Sequence, residues 1–321
     1  MKRKNISFLI LFSSLLLFTF GLYTAPYEAM APHTKNDEDF IISSRIEKDE
    51  LYKQIQTYSE QHKIEPIDAK VDQVWKAIPG YNGLEVDVEA SYKKMKKKGK
   101  FDESKIVFKE IPPTTHLDDL DPQPIYKGNP EKPMVAFLIN VAWGNEYIPT
   151  ILKVLKEHQT KATFFLDGSW VKKNPDLAKS IKDGGHEIGN HAYSHPDLQK
   201  KSMAETTEEL KKTNDVIEKT LGLKTKWFAP PSGSFNETTI QVADQLNMKT
   251  ILWTVDTVDW KKPATSEMVN RVVSKVENGS MVLMHPTKPV AEGIESMITE
   301  IKGKGYQLGT VSDLLNEKRI D

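Results

Sequence analysis

From residue 134 onward the chain alternates short apolar runs with longer segments of helical period. The runs are MVAFLI, KATFFL, HEIGN, KTKWF, TILWTV, SMVLMH and YQLGTV. Runs this short and this apolar suit strands buried on both faces, which parallel sheets require and crossover helices provide. The pattern therefore restricts this part of the chain to an open parallel sheet or a barrel with helices outside it. One crossover can be read in detail. Ser202 to Glu205 forms a capping box, Leu210, Ile217 and Leu221 keep one face apolar, and Gly222 closes the helix. In such folds ligands meet the carboxyl ends of the strands, so the residues just after each run are the ones to inspect.

The first 133 residues follow other rules. Lys2, Arg3 and Lys4 precede an uncharged stretch from Ile6 to Tyr23. This predicts that residues 1–31 are either a signal peptide or a membrane anchor, with everything downstream extracytoplasmic, secreted or anchored. Residues 32–120 read as a small α/β domain. Ile46, Leu51, Ile55 and Tyr58 predict an amphipathic helix within 45–63, and the segments AKVDQVW and LEVDV are strand-like. Six lysines crowd KKMKKKGK at residues 93–100; a solvated helix end explains them, with anionic wall polymer or lipid headgroups as the alternative. The proline-rich stretch 111–133 has no apolar period. It predicts a strapping loop or linker, the linker proper being residues 121–133 and the barrel 134–321.

Charge and cysteine content narrow the chemistry. Forty-four basic residues balance 45 acidic ones, which argues against a general nucleic-acid binder. With no cysteine in the chain, a metal would have to be held by His, Asp or Glu.

The strand ends read NVAWGNE, NHAYSH, APPSG, DTVDW and HPTK in order. In this order and spacing the chain resembles the polysaccharide deacetylases of the NodB-homology type, carbohydrate esterase family 4, over residues 134 to about 315. The resemblance implies a distorted (β/α) barrel behind a small α/β domain. It also implies a divalent metal, usually zinc, that activates water for hydrolysis of the N-acetyl group of a cell-wall or chitin-like glycan. In that family a TFDDG motif supplies the general base and a metal-binding carboxylate, H[ST]xxH two metal ligands, RxPxG an arginine beside the base, DxxDW groove residues and LxxH the general acid. Carried over, the metal-binding histidines are His191 and His195, the acid is His285 with Asp259 as its orienting partner, and Asp256, Trp260 and Pro231 line the groove.

Three positions depart from the pattern. Asn140 stands where the base belongs, Val141 where the third metal ligand belongs, and Ala229 where the arginine belongs. An amide cannot take a proton at neutral pH and an isopropyl group cannot bind metal. Loss of a general base alone costs roughly 100-fold to 10,000-fold in rate. The expectation is therefore a deacetylase-like envelope protein, catalytically impaired or inactive, that binds glycan and holds no metal or a weakly bound divalent ion.

Two alternatives stay open at this point. One is an active amide hydrolase whose His191 and His195 are joined by a relocated carboxylate such as Asp256 or Glu146. The other is a structural or partner-binding scaffold served by the N-terminal domain. Trp143 and Trp170 read equally as groove aromatics or as packing residues.

Overall fold

The structure, a computed structural model, describes residues 50–320. The expected signal or anchor segment and residues 45–49 of the expected first helix lie outside the described residues. No helix among the described residues is long and apolar enough to cross a membrane. Residues from Glu50 onward form one compact unit.

Its first layer holds helix α1 (Glu50–Gln61), strands β1 (Lys70–Asp72), β2 (Lys76–Ile78) and β3 (Gly83–Val86), helix α2 (Val88–Met95) and strand β4 (Phe108–Ile111). β1 pairs with β2 and β3 with β4, both antiparallel. Leu51 and Ile55 of α1 close with Val86 and Met95 on a small apolar cluster, as the helical spacing of the first two predicts.

The main body follows as β5 (Met134–Val141), α3 (Ile148–Glu157), β6 (Thr163–Leu166), α4 (Gly168–Lys173), α5 (Pro175–Asp183), β7 (Glu187–Asn190), α6 (Met203–Leu221), β8 (Trp227–Phe228) and α7 (Glu237–Gln245). It ends with β9 (Lys249–Thr250), β10 (Val255–Asp256), α8 (Thr265–Lys275), β11 (Met281–Met284), α9 (Lys288–Gly303), β12 (Gln307–Gly309) and α10 (Val311–Leu315). The strands run parallel in the order β10-β11-β5-β6-β7-β8-β9, with β12 added to β5.

All eight residues of β5 are buried. Val135, Phe137, Ile139 and Val141 join the helices in an outer core, whereas Met134, Ala136 and Leu138 meet Phe165, Trp227 and Ile251 in an inner one. The two-residue alternation of a strand thus turns Asn140 toward the barrel interior and Val141 toward the helices.

The fifth apolar run is not a single strand. It divides into β9 and β10, which lie at opposite ends of the strand order, and only Ile251 to Thr254 span the distance between them. The five steps from Thr250 to Val255 reach at most about 18 Å, so the two ends of the sheet must be close. The result is a curled, incompletely hydrogen-bonded barrel, the distorted form expected.

Residues 112–133 strap the first layer to this sheet. Fully buried Ile125 bridges both Lys76 and Ile251, its N–H donating to the Thr250 carbonyl at 2.9 Å. The buried amide of Asn129 donates to Pro79 O at 3.0 Å, and the ammonium of buried Lys132 donates to the carbonyls of Asp313 and Asn316 at 2.6 and 2.5 Å.

Candidate functional site

The carboxyl ends of β5, β7, β8, β10 and β11 carry the five segments singled out above. At the end of β7, His191 is 1% exposed and its Nδ1 lies 2.8 Å from the Ala229 carbonyl. A carbonyl only accepts, so Nδ1 carries the proton and Nε2 keeps its lone pair. Burial, with the nearby His195 adding to it, lowers the His191 pKa to about 3 and keeps the ring neutral. His195 is exposed, with its ring centroid 5.3 Å from that of His191 at an interplanar angle of 73°.

The turn between the two histidines is strained and firmly held. Ala192 and His195 have φ of 58° and 55°, the left-handed region that costs most residues free energy. Asn190 Oδ1 accepts from the Ala192 N–H at 2.8 Å. The carboxylate of Glu209 accepts from the N–H groups of Tyr193 and Ser194 at 2.9 and 2.8 Å and from the Ser194 hydroxyl at 2.7 Å. Sequence reading missed both residues. Asn190 stands next to the motif and was legible as a local cap, but Glu209 lies on α6 and carries no local signal.

At the base and third-ligand positions the chemistry is absent. Asn140 is 4% exposed and its Oδ1 has no hydrogen-bond partner. Val141 is fully buried in the outer apolar core, and Ala229 is 1% exposed in the inner one. Asp167, the next carboxylate along, is 2% exposed at the end of β6. It caps α4 by accepting from the Trp170 N–H at 2.8 Å and from the Ser169 hydroxyl at 2.7 Å, and burial raises its pKa.

Neither carboxylate considered for a rearranged metal site joins the histidines. Asp256 Oδ1 accepts from the Val258 N–H at 2.7 Å, and Glu146 points into solvent. Among the described residues no three His, Cys, Asp or Glu side chains gather closely enough to hold a metal ion. Two imidazoles without a carboxylate do not fit a resident zinc, which takes at least three protein ligands.

The β10–β11 side of the site is fully built. Asp259 is completely buried, and its Oδ1 lies 2.9 Å from His285 Nδ1. Its Oδ2 accepts from the His285 N–H at 2.7 Å and from the Thr257 hydroxyl at 3.0 Å. The carboxylate thus fixes the tautomer of His285 and turns its Nε2 away from the pair. Trp143, 47% exposed, lies nearly parallel to the His285 ring at a centroid distance of 5.9 Å. Its place is set by Gly144, at φ 83°, where any side chain would strike the Pro286 carbonyl. Trp260 is 55% exposed with the Lys261 ammonium 4.9 Å from its ring centre. Pro231 is buried at the start of the loop whose Gly233 packs against Trp253. Trp170, in contrast, is a packing residue: it is 3% exposed and its indole N–H donates to Asn145 at 2.6 Å.

Comparisons with known proteins place the chain among relatives of one kind. A family model for polysaccharide deacetylase matches residues 127–251. The YlxY protein of Bacillus subtilis is 56% identical over 273 residues, 85% of this chain and 86% of that one. The peptidoglycan-N-acetylmuramic acid deacetylase PdaA of the same organism is 32% identical over 200 residues, 61% of this chain and 76% of that protein. Among solved structures, BA3943 of Bacillus anthracis, a CE4 family pseudoenzyme, superposes with a TM-score of 0.79 at 51% identity, covering 84% of this chain and 96% of that one. A mutant of BA3943 with restored enzymatic activity superposes equally, at 50% identity over 84% of this chain and 99% of that one.

Proposed function

Because the chain belongs to the polysaccharide deacetylase family, CE4, and lacks the groups that would deprotonate a water, we propose that it binds N-acetylated cell-envelope glycan without hydrolysing it. It is a CE4 polysaccharide deacetylase-like protein. Peptidoglycan is the polymer that the name of PdaA specifies, and it is the ligand proposed for this groove. The site residues keep the proposed parts with altered duties: His191 as a neutral polar wall beside the exposed His195, Asp259 and His285 as a fixed hydrogen-bonding pair, Trp143 and Trp260 as exposed aromatic surfaces.

The observation that carries this reading is the buried, unpartnered Oδ1 of Asn140 at the position of the base. An unsatisfied buried acceptor costs about 1–3 kcal/mol, and a turn of the side chain that brings the oxygen to an incoming N–H group recovers that cost. The amide N–H of an N-acetyl sugar is such a donor. At this position a carboxylate would instead attract a proton and repel neighbouring anionic groups. The Nε2 of His285 can accept a hydrogen bond from a sugar hydroxyl, but with no base opposite it no water is activated for an acid to assist.

The extracytoplasmic setting rests on the uncharged Ile6–Tyr23 stretch and on the peptidoglycan named for the relatives. The test is calorimetric titration of the protein with N-acetylated glycan oligomers, run in parallel with an assay for released acetate. Binding without acetate release is expected. Release of acetate at a rate comparable to PdaA, or the absence of binding to any N-acetylated oligomer, would overturn the proposal.

A further inference from the structure

The lysines of residues 93–100 stand on a folded platform. α2 is capped at its start by Asp87, whose carboxylate accepts from the Ala90 N–H at 2.8 Å, and it buries Ser91 and Met95. Beyond Met95 the chain stays hydrogen-bonded: the N–H groups of Lys98 and Gly99 both donate to the Met95 carbonyl, at 2.9 and 3.2 Å, and Gly99 turns at φ 62°. Lys93, Lys94, Lys96, Lys97, Lys98 and Lys100 are all exposed. None of their ammonium groups makes an ion pair or hydrogen bond among the described residues.

The acids that could neutralise them are engaged elsewhere. Glu89 accepts from the Tyr52 hydroxyl at 3.0 Å and Glu103 from the Tyr58 hydroxyl at 2.8 Å, while Asp102 takes the Ser104 hydroxyl at 2.6 Å and pairs with Lys105 at 3.5 Å. One or two cations answer the negative end of a short helix. Six exceed that need and leave a concentrated positive field. The rest of the chain is oppositely charged, since without these six the remaining 38 basic residues face 45 acidic ones, a balance of −7.

Position selects the partner. The uncharged stretch ends at Tyr23, and only residues 24–49 separate it from Glu50, where α1 begins. Fully extended, that length reaches about 90 Å. α1 packs directly on α2, with the Tyr52 and Tyr92 rings 5.6 Å apart edge to face. The patch therefore lies on the first layer of the described residues, within that reach of the uncharged stretch.

We propose that the lysine platform docks on the anionic headgroups of the outer face of the membrane toward which the uncharged Ile6–Tyr23 stretch directs the chain. Attraction of a polybasic patch to such a surface acts within about 10 Å and is lost in high salt. The negatively charged body then faces away, and the molecule takes one orientation at the membrane.

The test uses the full chain reconstituted with vesicles of phosphatidylcholine alone or with added phosphatidylglycerol, labelled by an amine-reactive acylating reagent and read by mass spectrometry. Lys93 to Lys98 are expected to react about tenfold more slowly on the phosphatidylglycerol vesicles. Exposed Lys211 and Lys275 on the barrel helices should react equally on both, and high salt should abolish the difference. With Lys96→Gln, Lys97→Gln and Lys98→Gln together, the protection of Lys93 and Lys94 should fall to the phosphatidylcholine level. Equal labelling on the two vesicle types, or protection that appears only with a soluble phosphodiester polymer, would overturn the proposal.

Discussion

The two sides of the groove have met different fates, and burial explains why. On the β10–β11 side, Asp259 is wholly buried and holds both the ring and the backbone of His285. Removing one member of such a pair strands the other, so the pair persists as a unit. On the β5–β8 side, Asn140, Val141 and Ala229 stand where the family pattern puts groups that are tolerable in a protein interior only when they compensate one another with a metal. Two buried carboxylates and an arginine without that metal carry a heavy desolvation cost. Replacing them together by an amide and two apolar side chains removes the cost, and Val141 and Ala229 now sit in apolar cores. The absence of these charged groups on this side is compatible with a gain in stability, which would not hold on the other.

The difference can be broken from either side. Asp259→Ala should be the most damaging change, costing about 3–5 kcal/mol in urea unfolding because it leaves the His285 N–H and ring without their acceptor. A loss below about 1 kcal/mol would show that the acid side is no better held than the emptied one.

Val141→Asp alone should cost about 3 kcal/mol, since it places an unpaired carboxylate in the outer core. Combined with Asn140→Asp and Ala229→Arg it should instead yield stoichiometric zinc binding through His191 and His195. That outcome is checked by metal analysis and by a zinc-dependent rise in melting temperature. Failure of the triple variant to bind zinc would mean that the strand end itself has been repositioned.

Acid should act on the histidines at the two ends of β7. Burial holds His191 and His186 at pKa values of about 3 and about 4, below the unfolded value of 6.5. The unfolded chain takes up protons first, so their contribution is fully present above about pH 6.5 and is lost as pH falls toward 4. Each should contribute a slope of up to about 1.4 kcal/mol per pH unit. Urea midpoints measured across this range would detect it, and His186→Gln should flatten the curve.

Trp143→Ala should have the smallest effect on stability, within about 1 kcal/mol, because the side chain is half exposed. It should nevertheless weaken glycan binding about tenfold if the indole stacks on a sugar ring. Unchanged affinity would assign glycan contact to Trp260 alone.

Much of this was legible from residues 134 onward. β5, β6, β7 and β11 fall on their apolar runs because strands buried on both faces leave a continuous hydrophobic signature. The histidine pair, the Asp259–His285 pair and the three departures were readable because they occupy fixed places after those strands. The division of TILWTV into β9 and β10 was not readable, since closure of a curled sheet is a property of distant partners and not of the run itself. Nor was the grip of Glu209 on Tyr193 and Ser194, which joins residues 16 and 15 positions apart across a helix. The identity of Asn140 was plain in the sequence, but the empty valence of its oxygen appears only when its surroundings are built.

The strap centred on Ile125 also sets an order in time. The first layer is synthesised well before its supports: Asn82 receives a hydrogen bond from Arg319, 237 residues later, and Lys132 is satisfied by carbonyls 181 and 184 residues downstream. Contacts of such separation slow folding, because the loops that join them must close before any stability is gained. Until residues 313–319 emerge, the Asn82 carbonyl and the Lys132 ammonium lack these partners, and the segment that supplies them acts as a latch over the strap.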